Sequence, residues 1–309
     1  MIIDILILLA GLLLLTWGAE WLVKGGSNLA RRTGLSPMVI GLTIIAIGTS
    51  SPELVVSVQA AYTGSGSIAM GNVIGSNICN LLLILGVAAL VRPLPVSKSL
   101  FRLDLPALLV SSAILMVLFT DFALNRWESG ILIVITFLYF WLSLYLLKQK
   151  QEPESAVQEE WLSMSLQKSI PITLAGLVFL LLGSDLLLQG ARSVAAELSW
   201  DEGITGLLLV AFGTSLPELA AGIAASLRKQ ATLLIGTVVG SNIFNTMIIP
   251  GLSFLLFPGP APEIGFINLW LMLLAALLLL PLMLTGGRLS RTEGLLLTAC
   301  YLGYVLFLI

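Results

Sequence analysis

Two stretches, Gly48-Thr49-Ser50-Ser51-Pro52-Glu53 and Gly213-Thr214-Ser215-Leu216-Pro217-Glu218, place a carboxylate, hydroxyls and a proline inside runs that otherwise carry no charge. An ionised carboxylate in hydrocarbon is costly and marks a functional position. Proline removes a backbone donor and disturbs the turn before it. Each stretch therefore reads as a helix break that frees carbonyl oxygens of the preceding half-helix. At membrane depth such carbonyls are tolerated only where protein, water or an ion satisfies them. A cation meets the carbonyls and neutralises the adjacent glutamate together. Thr49, Ser50, Thr214 and Ser215 add neutral oxygens, and the sum is a hard-cation site of the kind Ca²⁺ takes. The pattern Ser-x-x-Glu also fits a capping box, in which Ser and Glu satisfy the first turn of a helix. The two readings are compatible.

A second set lies downstream of each break. Ser76 and Asn80 are four residues apart and share a helix face, and Ser241 and Asn245 repeat that face. Gly71, Gly75, Gly236 and Gly240 form small-xxx-small patterns that let helices approach closely. Inverted pairing of two halves brings Glu53, Glu218, Asn80 and Asn245 toward one midplane site. Glu20 and Asp185 also correspond, but near helix ends, and are expected at the interface or in a structural contact. The chain has no histidine, which excludes any mechanism that needs an imidazole. Cys79 and Cys300 fall in apolar helices, without metal-ligand spacing or a disulfide framework.

The elements that must hold these residues are membrane spans. The 309 residues are 58% hydrophobic and only 10% charged, against about 25% charged for a soluble domain. Stretches long enough to cross a bilayer fall at roughly 2–22, 35–62, 67–91, 104–120 and 127–147, then 170–190, 203–227, 231–257, 266–284 and 293–309. The expected fold is all-α and polytopic, with ten transmembrane helices in two inverted five-helix repeats. The repeats match without gaps at a fixed offset of 165, from Gly11/Gly176 to Gly86/Gly251. With five spans each, the second must enter the membrane in the opposite sense, an architecture of secondary transporters. The expected units are residues 1–147, a short acidic cytoplasmic linker over 148–168, and residues 169–309.

Alternate loops hold 13 of the 15 Lys and Arg, leaving Arg126 and Arg192 on the other side. By the positive-inside rule both termini face out of the cytoplasm, in a plasma (inner) membrane. The N-terminus lacks a basic n-region and reads as the first helix, with no signal peptide. No nucleic-acid partner is expected, and a chain that holds both repeats is sufficient as a monomer.

GTSSPE followed by GNVIGSNICN, and GTSLPE followed by GTVVGSNIFN, resemble the two alpha repeats of the cation/Ca²⁺ exchanger superfamily, most closely its prokaryotic sodium/calcium exchangers. The resemblance covers nearly the whole chain. It implies a secondary antiporter that exports Ca²⁺ against inward Na⁺ by alternating access, without cofactor, ATP or covalent intermediate. It implies acidic ligands at Glu53 and Glu218. Carbonyl or hydroxyl ligands are implied at Ala46, Thr49, Ser50, Ala211, Thr214 and Ser215, with Ser76, Asn80, Ser241 and Asn245 on the following helices. Na⁺ takes the outlying members and Ca²⁺ the glutamates. Many such exchangers carry Asp at one of the two positions where this chain has Asn80 and Asn245, so the site here has two acidic groups. A proton-coupled antiporter is the alternative. A cation channel is disfavoured by inverted halves within one chain, and an intramembrane hydrolase by the missing histidine and catalytic acid pair.

Overall fold

A computed structural model describes residues 2–31, 48, 50–96, 100–101, 104–148, 165–227, 231–284 and 287–309. The helices are α1 (Ile2–Arg31), α2 (Ser51–Tyr62), α3 (Gly66–Val91), α4 (Asp104–Leu118), α5 (Arg126–Lys148), α6 (Leu166–Leu198), α7 (Glu202–Thr214), α8 (Leu216–Leu227), α9 (Ala231–Leu256), α10 (Phe266–Leu284) and α11 (Arg291–Leu308). α2 is the described part of the second span, and α7 with α8 make the broken seventh. Ten spans in two groups of five result, as the hydropathy pattern requires. Most of the linker, 149–164, lies outside the described residues, as do Ala46 and Thr49.

α3 and α9 carry no charged residue, and burial follows. Every residue from Gly66 to Ile78 of α3 is buried, as are Ser241 to Gly251 of α9. α6 and α10 present large apolar side chains outward, among them Leu174, Leu181, Trp270 and Leu274. α1 and α6 extend beyond the apolar runs of the sequence, through Lys24 to Arg31 and through Arg192 to Leu198.

α1 and α6 pack antiparallel along glycines spaced by seven. A Cβ built on Gly11 would lie 2.5 Å from the Leu187 nitrogen, one on Gly18 2.8 Å from that of Leu180, and one on Gly183 2.8 Å from that of Leu15. Any side chain there would drive the two backbones apart. Repeat partners that run antiparallel against one another are what inversion demands.

Two short ladders give the same symmetry independently. β1 (Leu94–Pro95) pairs antiparallel with β4 (Arg288–Leu289), and β2 (Ala123–Leu124) with β3 (Gly259–Pro260). Adding the offset of 165 to Leu94–Pro95 gives Gly259–Pro260, and adding it to Ala123–Leu124 gives Arg288–Leu289. The register obeys the same rule: Leu94 opposite Leu289 becomes Leu124 opposite Gly259. Each ladder joins a loop of one half to a loop of the other. Helix count places the two ladders at opposite ends of the bundle.

Candidate cation site

The second break begins at Ser215, where the chain leaves α7 in a turn and restarts as α8 at Leu216. α2 starts after a turn at Ser50, with Pro52 in its first turn and Glu53 just inside. Proline at this position costs nothing, because the missing donor has no intrahelical acceptor. Within α7, residues Thr205–Val210 form a π-helical turn, and α3 has another at Cys79–Ile84, which carries Asn80. Such turns concentrate at functional sites.

The capping-box reading does not hold at the first break. The Ser50 side chain makes no cap hydrogen bond, and its Oγ is buried without a hydrogen-bond partner among the described residues. At the start of α11, by contrast, Ser290 and Glu293 make both reciprocal bonds of the same Ser-x-x-Glu pattern. The difference is one of place: Ser290 stands at a polar helix end, while Ser50 and Glu53 face the protein interior.

Glu53 is 0% exposed and Glu218 8%, one from each half. They lie close enough for their charges to interact, and neither has a Lys or Arg partner among the described residues. Ser215 donates from Oγ to Glu53 Oε1 at 3.5 Å, bridging the halves. Glu53 Oε2 and both carboxylate oxygens of Glu218 have no hydrogen-bond partner among the described residues. Buried ionised groups without a partner are expensive, and a divalent cation is the chemistry that meets two such carboxylates together.

Of the neutral residues expected at the site, Thr214, Ser76, Asn80, Ser241 and Asn245 are buried beside these helices, as is the backbone of Ala211. Ser76 turns its hydroxyl back to the Val73 carbonyl at 3.2 Å. Asn80 donates from Nδ2 to Asn242 Oδ1 at 3.0 Å, leaving its own Oδ1 without a partner among the described residues. Ser241 Oγ and both polar atoms of Asn245 are likewise buried and without partners there. Glu20 and Asp185 are exposed on α1 and α6, away from this cluster.

Four further residues belong to the cluster and were not singled out by the sequence. Asn242 joins the halves, accepting from Asn80 and donating from Nδ2 to the Asn77 carbonyl at 3.1 Å. Asn77 and Asn242 are themselves repeat partners, which is the signal that marks them. Cys79 has its thiol beside the hydroxyls of Ser215 and Tyr301. Asn72 bonds to both halves, yet its repeat partner is Thr237, so symmetry does not point to it.

Broken helices in inverted halves, with paired buried carboxylates among neutral oxygens, define a cation-translocating membrane protein of the inverted-repeat transporter class. The family described as sodium/calcium exchanger protein matches residues 3–145 and 168–309. The chain is 35% identical to the putative antiporter CaxA of Alkalimonas amylolytica, over 98% of each protein. It is 31% identical to the sodium/calcium exchanger MaX1 of Methanosarcina acetivorans, covering 99% of this chain and 98% of the relative. The solved sodium-calcium exchanger NCX_Mj superposes with a TM-score of 0.70 at 31% identity, over 100% of this chain and 99% of that one. This chain belongs to the sodium/calcium exchanger family, and it is an integral membrane antiporter of the cation/Ca²⁺ exchanger superfamily.

Proposed function

We propose that the protein exports Ca²⁺ in exchange for inward Na⁺ by alternating access, both ions competing for one midplane set of oxygens. The observation that carries this reading is the pair Glu53 and Glu218: one from each inverted half, buried together, with no cationic side chain beside them among the described residues. Ca²⁺ balances both charges and rests on the two carboxylates. Na⁺ neutralises the same pair from positions that also use Thr214, Ser215, Ser50, Ser76, Ser241, Asn80 and Asn245, the Ala211 carbonyl and, outside the described residues, Thr49 and Ala46.

Coupling follows from desolvation. Without a cation, reorientation would carry two anionic groups through a low-dielectric interior, which is costly. With either cargo bound the charge is compensated, and the barrier between inward and outward states falls. The hydrogen bonds across the halves (Asn80 to Asn242, Ser215 to Glu53) let an ion on one half be felt by the other. Residues 1–147 and 169–309 act as the two repeats, joined by a cytoplasmic linker over 148–168. Both termini lie outside the cytoplasm of a plasma (inner) membrane, and one chain suffices.

The test is ⁴⁵Ca²⁺ uptake into proteoliposomes preloaded with Na⁺, beside Glu53→Gln and Glu218→Gln. Uptake that needs the outward Na⁺ gradient and vanishes in both variants is the expected result. Uptake that ignores Na⁺ and follows a pH gradient moves the protein to proton coupling. Passage without any trans cation makes it a channel, and full transport by both variants removes the glutamates from the site.

A further inference from the structure

Asn72 is fully buried on α3, between the two helix breaks. Its Nδ2 donates to the Glu53 backbone carbonyl at 3.1 Å and to Ser57 Oγ at 2.8 Å. Ser57 passes its own proton to the Ala69 carbonyl at 3.3 Å. A carbonyl only accepts, so the amide nitrogen must face Glu53, and the Asn72 oxygen must face the other way. That oxygen, Oδ1, lies 3.1 Å from Thr214 Oγ1, on the opposite half.

A threonine hydroxyl has one proton and two lone pairs. The Thr214 proton has two acceptors in reach: Asn72 Oδ1 and the Ala211 carbonyl at 3.2 Å. The Ala211 carbonyl already accepts from the Ser215 backbone N–H at 3.1 Å, so a second bond from Thr214 would fill the lone pair that serves the cation. If the proton goes to Asn72, the Thr214 oxygen and that lone pair both stay available. Asn72 is the acceptor that costs the site nothing.

We infer that Asn72 is a positioning residue of the exchange site, which orients the Thr214 hydroxyl as an acceptor toward Na⁺ and ties the Glu53 carbonyl of one half to the break of the other. The inference rests on the cation-site reading above. Repeat symmetry adds to it: Thr237, at the matched place, cannot supply an amide that donates on one side and accepts on the other. The arrangement occurs once among the described residues, so the two halves contribute unequally to Na⁺ binding.

The experiment is a double-mutant cycle of Asn72→Thr and Thr214→Ala in proteoliposomes. It reads the Na⁺ concentration that half-inhibits ⁴⁵Ca²⁺ uptake, the Ca²⁺ half-saturation, and the melting temperature. Each single variant is expected to raise the Na⁺ value by roughly five- to tenfold, the worth of one buried hydrogen bond. The double variant rises no further than the larger single one, while the Ca²⁺ value moves by less than about threefold. Ser57→Ala, which spares the bond to Thr214, should leave the Na⁺ value within about twofold. Multiplying single effects, an unchanged Na⁺ value in Asn72→Thr, or a Ser57→Ala shift as large as that of Asn72→Thr would each overturn the inference. Asn72→Ser is the substitute if Asn72→Thr does not fold; failure of both to fold makes Asn72 a structural residue and also overturns it. Normal transport by Glu53→Gln and Glu218→Gln would instead sink the site reading itself.

Discussion

Asn80 reaches across the repeat axis to Asn242, Nδ2 to Oδ1 at 3.0 Å, and the symmetric bond, from Asn245 to Asn77, is not made. Asn77 instead donates to Val73 of its own helix at 2.7 Å. The polar centre is thus asymmetric although the chain is a repeat. This places unequal weight on two residues of the same type and burial. Asn242→Ala removes two bonds between halves and leaves the Asn80 amide unmet, at a cost of about 2–3 kcal/mol. Asn77→Ala removes one bond within a helix, at about 1 kcal/mol. Thermal unfolding in detergent, followed by tryptophan fluorescence, should show the larger loss for Asn242→Ala.

Glu53→Gln and Glu218→Gln separate stability from function. Each removes a buried charge without a cationic partner, so the ion-free protein should melt no lower than wild type, and higher if the carboxylate is ionised. Saturating Ca²⁺ stabilises wild type by mass action, by about 2.7 kcal/mol at a hundred times the dissociation constant. That Ca²⁺-dependent rise in melting temperature should vanish in both variants. A variant that keeps it has a Ca²⁺ site elsewhere.

Much of this arrangement is legible in the sequence. The offset of 165 joins Glu53 to Glu218 and both GSNI stretches, and inversion follows from the odd number of spans. Composition and motif carry that information because buried charge and proline are rare in lipid. The ladders were not legible, since two residues such as Leu94–Pro95 have no periodicity to detect. Asn72 was hidden for another reason: its partners come from α2 and α7, and a contact between segments 142 residues apart leaves no local trace. The helix ends of α1 and α6 also lie beyond their apolar runs, because the backbone hydrogen bonds of a helix do not depend on apolar side chains and hydropathy does not mark where they stop.

The two Ser-x-x-Glu patterns make a paired test of cap against ligand. Ser290→Ala breaks a formed capping box and should cost about 1 kcal/mol. Ser50 makes no cap bond, so Ser50→Ala should leave the melting temperature of the ion-free protein unchanged. Its effect should fall on the Na⁺ and Ca²⁺ dependence of transport, which Ser290→Ala leaves alone. The opposite pattern would return Ser50 to the role of a cap.

Arg192 binds the outer pair of helices to the core. Its guanidinium donates to Thr63 Oγ1 and Ser65 Oγ, both at 2.7 Å, and Ser65 passes its proton to Glu202 Oε1 at 2.8 Å. This clip lies on α6 at the end of the molecule where α2 turns into α3. Within the α1/α6 pair the glycine seam leaves no gap, so the pair should move as one body if it slides past the core to switch access. In a background with Cys79 and Cys300 replaced, a short thiol cross-link between Trp21→Cys and Phe179→Cys, whose rings stack at 4.9 Å across the α1/α6 pair, stays inside that body and should leave exchange running at close to its uncrosslinked rate. A disulfide between Thr63→Cys and Arg192→Cys spans the moving boundary and should stop exchange, with recovery on reduction. Equal tolerance of both cross-links would show that α6 does not shift against the α2–α3 turn during transport.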